Sequence, residues 1–481
     1  SNKKLHFVCM VDKEGLKNGT VDNLRRSLNN DLLILDTYDN ELKNLSQIFK
    51  MKEFLDNDKK SLINMFTFFS RIKTQQPISL YVHIPFCSSL CYYCACNKII
   101  TQDNNQADIY LEYIQKEWDL YKNMFRSEIE INSLHFGGGS PTFLTDKQLK
   151  KLISIFDDHS TSKDMERSIE IDPRTIDKDR LRLIRRLGFN RISFGVQDTD
   201  ISVQKAVNRE QSYEEIFNLV ASAKREKFRS INVDLIYGLP LQTKETFSIT
   251  LKKIIELRPD RIALYSYAHL PKIFKSQRSI ESSGIPSSKE KISMLESAID
   301  SFSLAGYEYI GMDHFALPHD AISMAKKQGR LYRNFQGYTL HNDNIVGLGV
   351  SSISQYDRYY YQNAKKIKSY YASIDDNKLP IKKLFSLSKD DLLRRVAIMK
   401  LMCQGFIDIK DLENIYNIYF YQYFNYELKL LSELEKDGLV IVLKCSIFVT
   451  QKGWYFVRSI AMVFDSYLRS PQGLGSFSKV F

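Results

Sequence analysis

No run of about eighteen or more apolar residues, the length a membrane-crossing helix needs, occurs anywhere in this chain, so no transmembrane helix is expected. The opening segment, SNKKLHFVCMVDKEG, has only a short apolar stretch and no cleavage-like site, which reads against a signal peptide. No block of basic residues carries interleaved aromatics, and charges of both signs are scattered, so nucleic acid is not an expected partner despite a formal net charge of +11. That excess is read as a solvated basic surface unless a site uses it. A second pair of metal ligands is also missing. Outside one cluster, Cys9, Cys403 and Cys445 stand isolated. Structural zinc is usually held by two separated ligand pairs, and disulfide frameworks belong to smaller secreted chains. Apolar residues make up 43% of the chain, enough for a sizeable core, so disorder is not the default.

What is present is a run of four cysteines, Cys87-Ser-Ser-Leu-Cys91-Tyr-Tyr-Cys94-Ala-Cys96, directly after the extended apolar segment SLYVHIPF. Thiolates at spacings of four and three residues can wrap a compact soft-metal site from a single loop, as iron–sulfur clusters require. Three ligands on a four-iron cubane leave one iron open. Cys96, two residues past Cys94, is poorly spaced to cap the same cluster. A cluster is favoured over zinc, and zinc over disulfides. Seven cysteines, four of them in this motif, fit a reducing cytoplasm.

From Ser79 onward, short β-branched or aromatic runs alternate with longer amphipathic segments. The runs are 79–86, 133–139, 168–172, 191–198, 231–240 and 261–268, and the segments between and after them are 106–121, 146–156, 177–186, 213–227, 243–256 and 287–305. Such alternation reads as βα units around a parallel sheet. The expected fold is α/β, a partial (β/α)6 barrel with its active groups at the strand C-terminal ends. Residues 1–78 are read as an N-terminal helical extension and possible lid, 79–380 as the barrel domain, and 381–481 as a small helical, winged-helix-like domain covering the barrel. No recognition-helix charge pattern marks that last domain for DNA.

Gly137-Gly138-Gly139-Ser140-Pro141-Thr142 follows the second strand. Glycines there let a ligand approach the main chain closely. Glu170, Gln197, Arg209 and Asp234 fall at or near the ends of strands three to five. Any one of them could be a surface residue, but their joint placement on one rim raises them together. A carboxylate suits an ammonium or ribose hydroxyls, and an arginine fork suits a carboxylate; S-adenosylmethionine (SAM) presents all of these groups. Asp313-His314 is read as structural or near the substrate, because neighbours on a strand point to opposite sides. The tyrosine-rich patches at 359–361 and 416–426 are read as core or interface.

YVHIPFCSSLCYYCACNK, followed in order by GGGSPT, SIEIDP, GVQD, VNREQ, DLIYGLP, YAHLP, GMDHFA, RNFQGYT, GLGVSSIS and the terminal FSKVF, resembles the oxygen-independent coproporphyrinogen III oxidase (coproporphyrinogen dehydrogenase) family of radical-SAM enzymes. The resemblance implies a 4Fe–4S cluster on Cys87, Cys91 and Cys94, and two SAM molecules. It implies that Tyr81, Gly138 and Glu170 contact the first SAM. Tyr93, Gly139, Ser140, Gln197, Arg209, Asp234, Ala268 and Ile353 would contact the second. Phe335 and Gln336 would lie near the reacting centre. The implied activity is oxidative decarboxylation of a porphyrinogen in haem biosynthesis, through a 5′-deoxyadenosyl radical, by a cytoplasmic monomer that takes electrons from a donor such as flavodoxin or ferredoxin.

The chain departs from that family at one place. Members carry an arginine–tyrosine-rich RYTSYPT-like segment upstream of the cysteines, whereas residues 44–53 here read NLSQIFKMKE. Two other functions therefore remain in view. One is a two-SAM radical methyltransferase or cyclopropanase; the other is a haem-binding or haem-trafficking protein on the same fold.

Overall fold

In a computed structural model, residues 77–125, 129–157, 161–341 and 344–469 are described. The expected extension at 1–78, apart from its last two residues, and the terminal FSKVF lie outside them. Six strands form in chain order: β1 (Ile78–Ile84), β2 (Ile131–Gly138), β3 (Thr161–Ile171), β4 (Arg191–Gln197), β5 (Ser230–Tyr237) and β6 (Arg261–Ser266). Each pairs in parallel with the next. All seven residues of β1 are buried. Its continuous apolar character is what a parallel strand covered on both faces requires.

The crossover helices are α1 (Asn105–Met124), α2 (Asp146–Ser154), α3 (Lys178–Arg186), α4 (Tyr213–Arg225), α5 (Lys244–Leu257) and α6 (Ser288–Leu304). Thr145, Asp177, Ser212, Thr243 and Ser287 cap the starts of α2 to α6, each accepting from a backbone N–H that the first turn leaves without a partner. The six expected βα units are all present; most boundaries fall within a few residues of expectation, but β3 starts at Thr161, seven residues before the expected 168.

The sheet extends beyond them. A further six strands were not assigned from sequence: β7 (Glu308–Gly311), β8 (His314–Ala316), β9 (Asn344–Leu348), β10 (Ile353–Tyr356), β11 (Tyr359–Asn363) and β12 (Ile381–Ser386). The full order is β12-β11-β10-β9-β1-β2-β3-β4-β5-β6-β8-β7. β9 lies parallel to β1, with Tyr81 opposite Gly347. That pairing brings the Gly349–Ile353 turn beside the cysteine loop. Tyr359, Tyr360 and Tyr361 are buried in β11 and belong to the core.

Beyond β12, helices Lys389–Gln404, Ile409–Tyr416 and Asn425–Lys436 surround a three-stranded sheet made from Phe406–Asp408, Val440–Leu443 and Ser446–Val449. Helix Val457–Met462 follows. This helices-plus-hairpin unit packs onto the barrel. Tyr338 donates to the Met402 carbonyl (3.1 Å), Tyr455 stacks on Tyr309 with centroids 5.1 Å apart, and Lys326 sits 3.8 Å above the Trp454 ring.

Candidate active site

The cysteine run leaves β1 through Pro85 and loops across the C-terminal ends of β1 to β4. Cys87, Cys91 and Cys94 face a cavity of about 170 Å3 whose other walls include Gly138 to Pro141, Glu170, Asp172 and Arg209. The glycine triplet is needed for close approach. A side chain on Gly139 would come within 2.7 Å of the Pro85 carbonyl and 3.0 Å of the Cys87 sulfur, and Gly138 has φ +114°. Two guanidiniums reach the Cys91 sulfur, Arg209 at 3.4 Å and Arg174 at 3.6 Å. Both also hold Asp172, at 3.3 and 2.7 Å. Burial alone would raise the Asp172 carboxyl, but Arg209 and Arg174 outweigh it and hold it below the ordinary range. Burial, followed by the charges of Cys94 and Cys91, pushes the Cys87 thiol up. Chiefly a hydrogen bond from Cys96 brings Cys94 down to about 6.

A register shift at the end of β4, between Gly195 and Gln197, leaves Gln197 at φ +68° and turns it into the cavity. Arg209 is anchored from below by the Gly195 carbonyl at 2.7 Å. Glu170 accepts from the Gly138 N–H (3.0 Å) and meets His135 Nε2 at 3.4 Å. Asp234 accepts from Ser193 (2.9 Å) and Asn232 (2.7 Å), and desolvation pushes it up to about 6.

A second cavity of about 220 Å3 is continuous with the first through Tyr93, Cys94, Gly138, Glu170, Gln197 and Asp234. Tyr81 stacks on His135 (5.8 Å, 17°) and meets Phe335 edge-on (5.6 Å, 90°). The Gln336 side-chain Nε2 is buried with no hydrogen-bond partner and lines this cavity. Ile353 lines it as well.

Every site residue expected from sequence except Ala268 therefore borders one of two contiguous cavities. Ala268 lines a small neighbouring pocket with Tyr93, and its carbonyl accepts from Gln277 at 3.1 Å. Asp313 and His314 both line the second cavity, contrary to the strand-alternation argument. Asp313 lies in the tight turn between β7 and β8, where Met312 has φ +50°, so alternation does not apply.

Residues 81–254 match the Radical SAM superfamily, and residues 387–456 match the HemN C-terminal domain. The oxygen-independent coproporphyrinogen III oxidases of Salmonella typhimurium and Escherichia coli K12 are each 44% identical over 84% of this chain and 89% of their own. That of Synechocystis is 41% identical over 89% of this chain and 92% of its own. The solved structure of coproporphyrinogen III oxidase (HemN) from Escherichia coli, titled as a radical SAM enzyme, superposes with a TM-score of 0.84. It is 41% identical and covers 90% of this chain and all of that one. This chain belongs to the oxygen-independent coproporphyrinogen III oxidase family. It is a radical-SAM oxidoreductase, and its cofactors are a 4Fe–4S cluster and SAM.

The residues fit those cofactors. Four thiols on one loop, Cys87, Cys91, Cys94 and Cys96, line the first cavity, and Arg209 and Arg174 at the Cys91 sulfur would offset thiolate charge. Among the described residues no three histidine, cysteine or acidic side chains converge on a point that one ion would fill. Thiols at these spacings on one loop suit a cluster, which offers a separate iron to each.

Sequence reading of this family member missed His83, Asp172 and Arg174. His83 sits two residues after Tyr81 on the same face of β1 and meets its hydroxyl at 3.1 Å, a period-two signal that was available. Burial lowers the His83 pKa, favouring the neutral ring. Asp172 also carried a signal, standing two residues past Glu170. Arg333 and Arg458 were missed too. Arg458 comes from the C-terminal domain, and no local pattern announces it.

Proposed function

We propose that this chain converts coproporphyrinogen III to protoporphyrinogen IX without oxygen, turning two propionates into vinyl groups with loss of two carbon dioxide molecules. When bound, the cluster and SAM would supply the 5′-deoxyadenosyl radical chemistry that removes a propionate β-hydrogen atom, and a one-electron acceptor would take the electron released as carbon dioxide leaves. Cys87, Cys91 and Cys94 hold the cluster. Tyr81, Gly138 and Glu170 hold the first SAM. Gln197, Arg209 and Asp234, with Tyr93, Gly139, Ser140, Ala268 and Ile353, serve the second. Phe335 closes the aromatic wall against Tyr81, and Gln336 offers its amide to the substrate. The barrel domain spans 79–380 and the C-terminal cover 381–481. A one-electron donor such as flavodoxin or ferredoxin feeds the cluster.

The observation that carries this reading is the Gln336 amide nitrogen, which is buried without a hydrogen-bond partner. It borders the same cavity as Glu170, Cys94 and the Tyr81–Phe335 pair. A buried amide without a partner is costly unless a ligand completes it. The test is anaerobic incubation of reconstituted protein with SAM, reductant and coproporphyrinogen III, followed by mass analysis. Divinyl product supports the reading. SAM cleavage without vinyl product would favour the two-SAM transferase instead.

A further inference from the structure

The cavity under the barrel mouth does not end at Phe335. Arg333, Phe335 and Arg458 line it on one side, and on the other they line a further cavity of about 150 Å3 between the barrel and the C-terminal domain. Met312, Met399, Met402 and Met462 with Ile398 form one part of the wall of the outer cavity, and Arg394, Arg395, Asp391 and Asp465 form another. Flexible, polarizable methionine side chains conform to flat ring systems. Sites for drug-sized ligands usually enclose roughly 300–1,000 Å3. A tetrapyrrole with four propionate arms is at least that large. The inner cavity, at about 220 Å3, must also open toward SAM. The two spaces meet at Arg333, Phe335 and Arg458, so a macrocycle larger than either one would extend from the inner space to the outer.

The two arginines sit at the interruption. Arg333 lies 5.1 Å from the Tyr338 ring. Arg458 is only 12% exposed. It meets the Asp313 carboxylate at 3.9 Å and the Met312 sulfur at 4.0 Å. His314 lies close to both. Burial and then the charges of Arg333, Arg261 and Arg458 push its imidazole down to about 3, so the ring is neutral. Its Nδ1 is buried without a hydrogen-bond partner. A pair of guanidinium forks beside a neutral imidazole is a receptor for a carboxylate.

We propose that Arg333 and Arg458 clamp a propionate of the porphyrinogen other than the one that reacts, while the adjoining pyrrole lies in the methionine-walled cavity. The proposal rests on the substrate reading given above. It makes the C-terminal domain part of the binding site and Arg458 a specificity-determining residue.

The test uses reconstituted full-length protein under anaerobic conditions, as wild type, Arg458→Gln, Arg458→Lys and Met399→Glu. Binding of coproporphyrin III, a fluorescent macrocycle with the same four propionates, is titrated with SAM present and reductant absent. KM and kcat for coproporphyrinogen III, and substrate-free SAM cleavage, are then measured. Arg458→Gln is expected to weaken binding and raise KM about tenfold or more, the scale of a lost charged hydrogen bond. The rise in KM should exceed any change in kcat or in substrate-free SAM cleavage, a split that a merely structural role would not give. Arg458→Lys should recover part of the loss, and Met399→Glu should raise KM through carboxylate repulsion. Unchanged binding and KM in Arg458→Gln would overturn the clamp while leaving the function standing. Should that variant also lose substrate-free cleavage, Met399→Glu decides, and a wild-type KM there overturns the proposal. A wild type that yields no vinyl product overturns both the clamp and the substrate reading.

Discussion

The guanidinium of Arg209 lies 3.4 Å from the sulfur of Cys91 and 3.3 Å from the Asp172 carboxylate. It ties the cysteine loop to the ends of β3 and β4. Hydrogen bonds and positive charge at a ligand sulfur favour the reduced, more negative cluster. Arg209→Gln is therefore expected to shift the cluster's reduction potential downward, read by an EPR-monitored redox titration. An unchanged or raised potential would mean that Arg209 does not act on this sulfur.

Alanine at Cys87, Cys91 or Cys94 should abolish iron and sulfide uptake on reconstitution, and SAM cleavage with it. Cys96→Ala should retain a substantial share of the iron, because Cys96 lies two residues past Cys94, a poor spacing for capping the same cluster, and donates a hydrogen bond to Cys94. Iron and sulfide analysis decides the matter. Complete loss in the Cys96 variant would refute the three-ligand assignment.

Much of this was legible because period and spacing are local properties. SLYVHIPF, the cysteine run and the glycine triplet announced β1, the cluster loop and the ligand approach within short windows. Thr145 and Ser287 cap their helix starts, a local signal that went unread. What stayed hidden depends on chain returns. β9 pairs with β1 across the whole domain, so the placement of Ile353 beside Tyr81 follows from topology rather than from any pattern at 344–356. Arg458 reaches the cavity only because the C-terminal domain docks there. Asp313 reads from sequence as structural or near the substrate, but that it shares a cavity with His314 depends on a tight turn, and not a strand, positioning it.

Equilibrium dialysis with reconstituted, substrate-free protein should find close to two SAM molecules per chain. Asp234→Ala should remove one of them, since Asp234 borders both cavities. A stoichiometry of one that Asp234→Ala leaves unchanged would eliminate the second site.

Gly139→Ala should disturb the cluster loop, because the added methyl would lie 2.7 Å from the Pro85 carbonyl and 3.0 Å from the Cys87 sulfur. Neither the carbonyl nor a ligand sulfur can yield cheaply. The expected result is reduced iron loading with the far-ultraviolet circular dichroism of the wild type. Full iron loading in this variant would contradict the close approach.

Glu117 on α1 is fully buried and accepts from Tyr370, the Gly349 N–H and Asn363 at 2.6 to 2.7 Å, bracing the turn that carries Ser352 and Ile353. Desolvation raises it from 4.5 to about 7. Its folded pKa is thus above the unfolded one. The associated stability is complete below about pH 4.5 and is lost as pH rises through 7. Asp234 and Asp465, raised to about 6 and about 7, act with the same sign. Glu117→Gln should flatten the slope of stability against pH between 4.5 and 7. It should also cost about 1–3 kcal/mol at the acidic end, where a carbonyl and amide replace a fitted carboxyl. Urea unfolding across that range checks it, and an unaltered slope would remove Glu117 from the account.

The most direct measurement uses coproporphyrinogen III deuterated at the propionate β-carbons, incubated anaerobically with reconstituted protein, SAM and reductant. The account predicts deuterium in the 5′-deoxyadenosine together with vinyl product. Unlabelled 5′-deoxyadenosine and no vinyl product would contradict it.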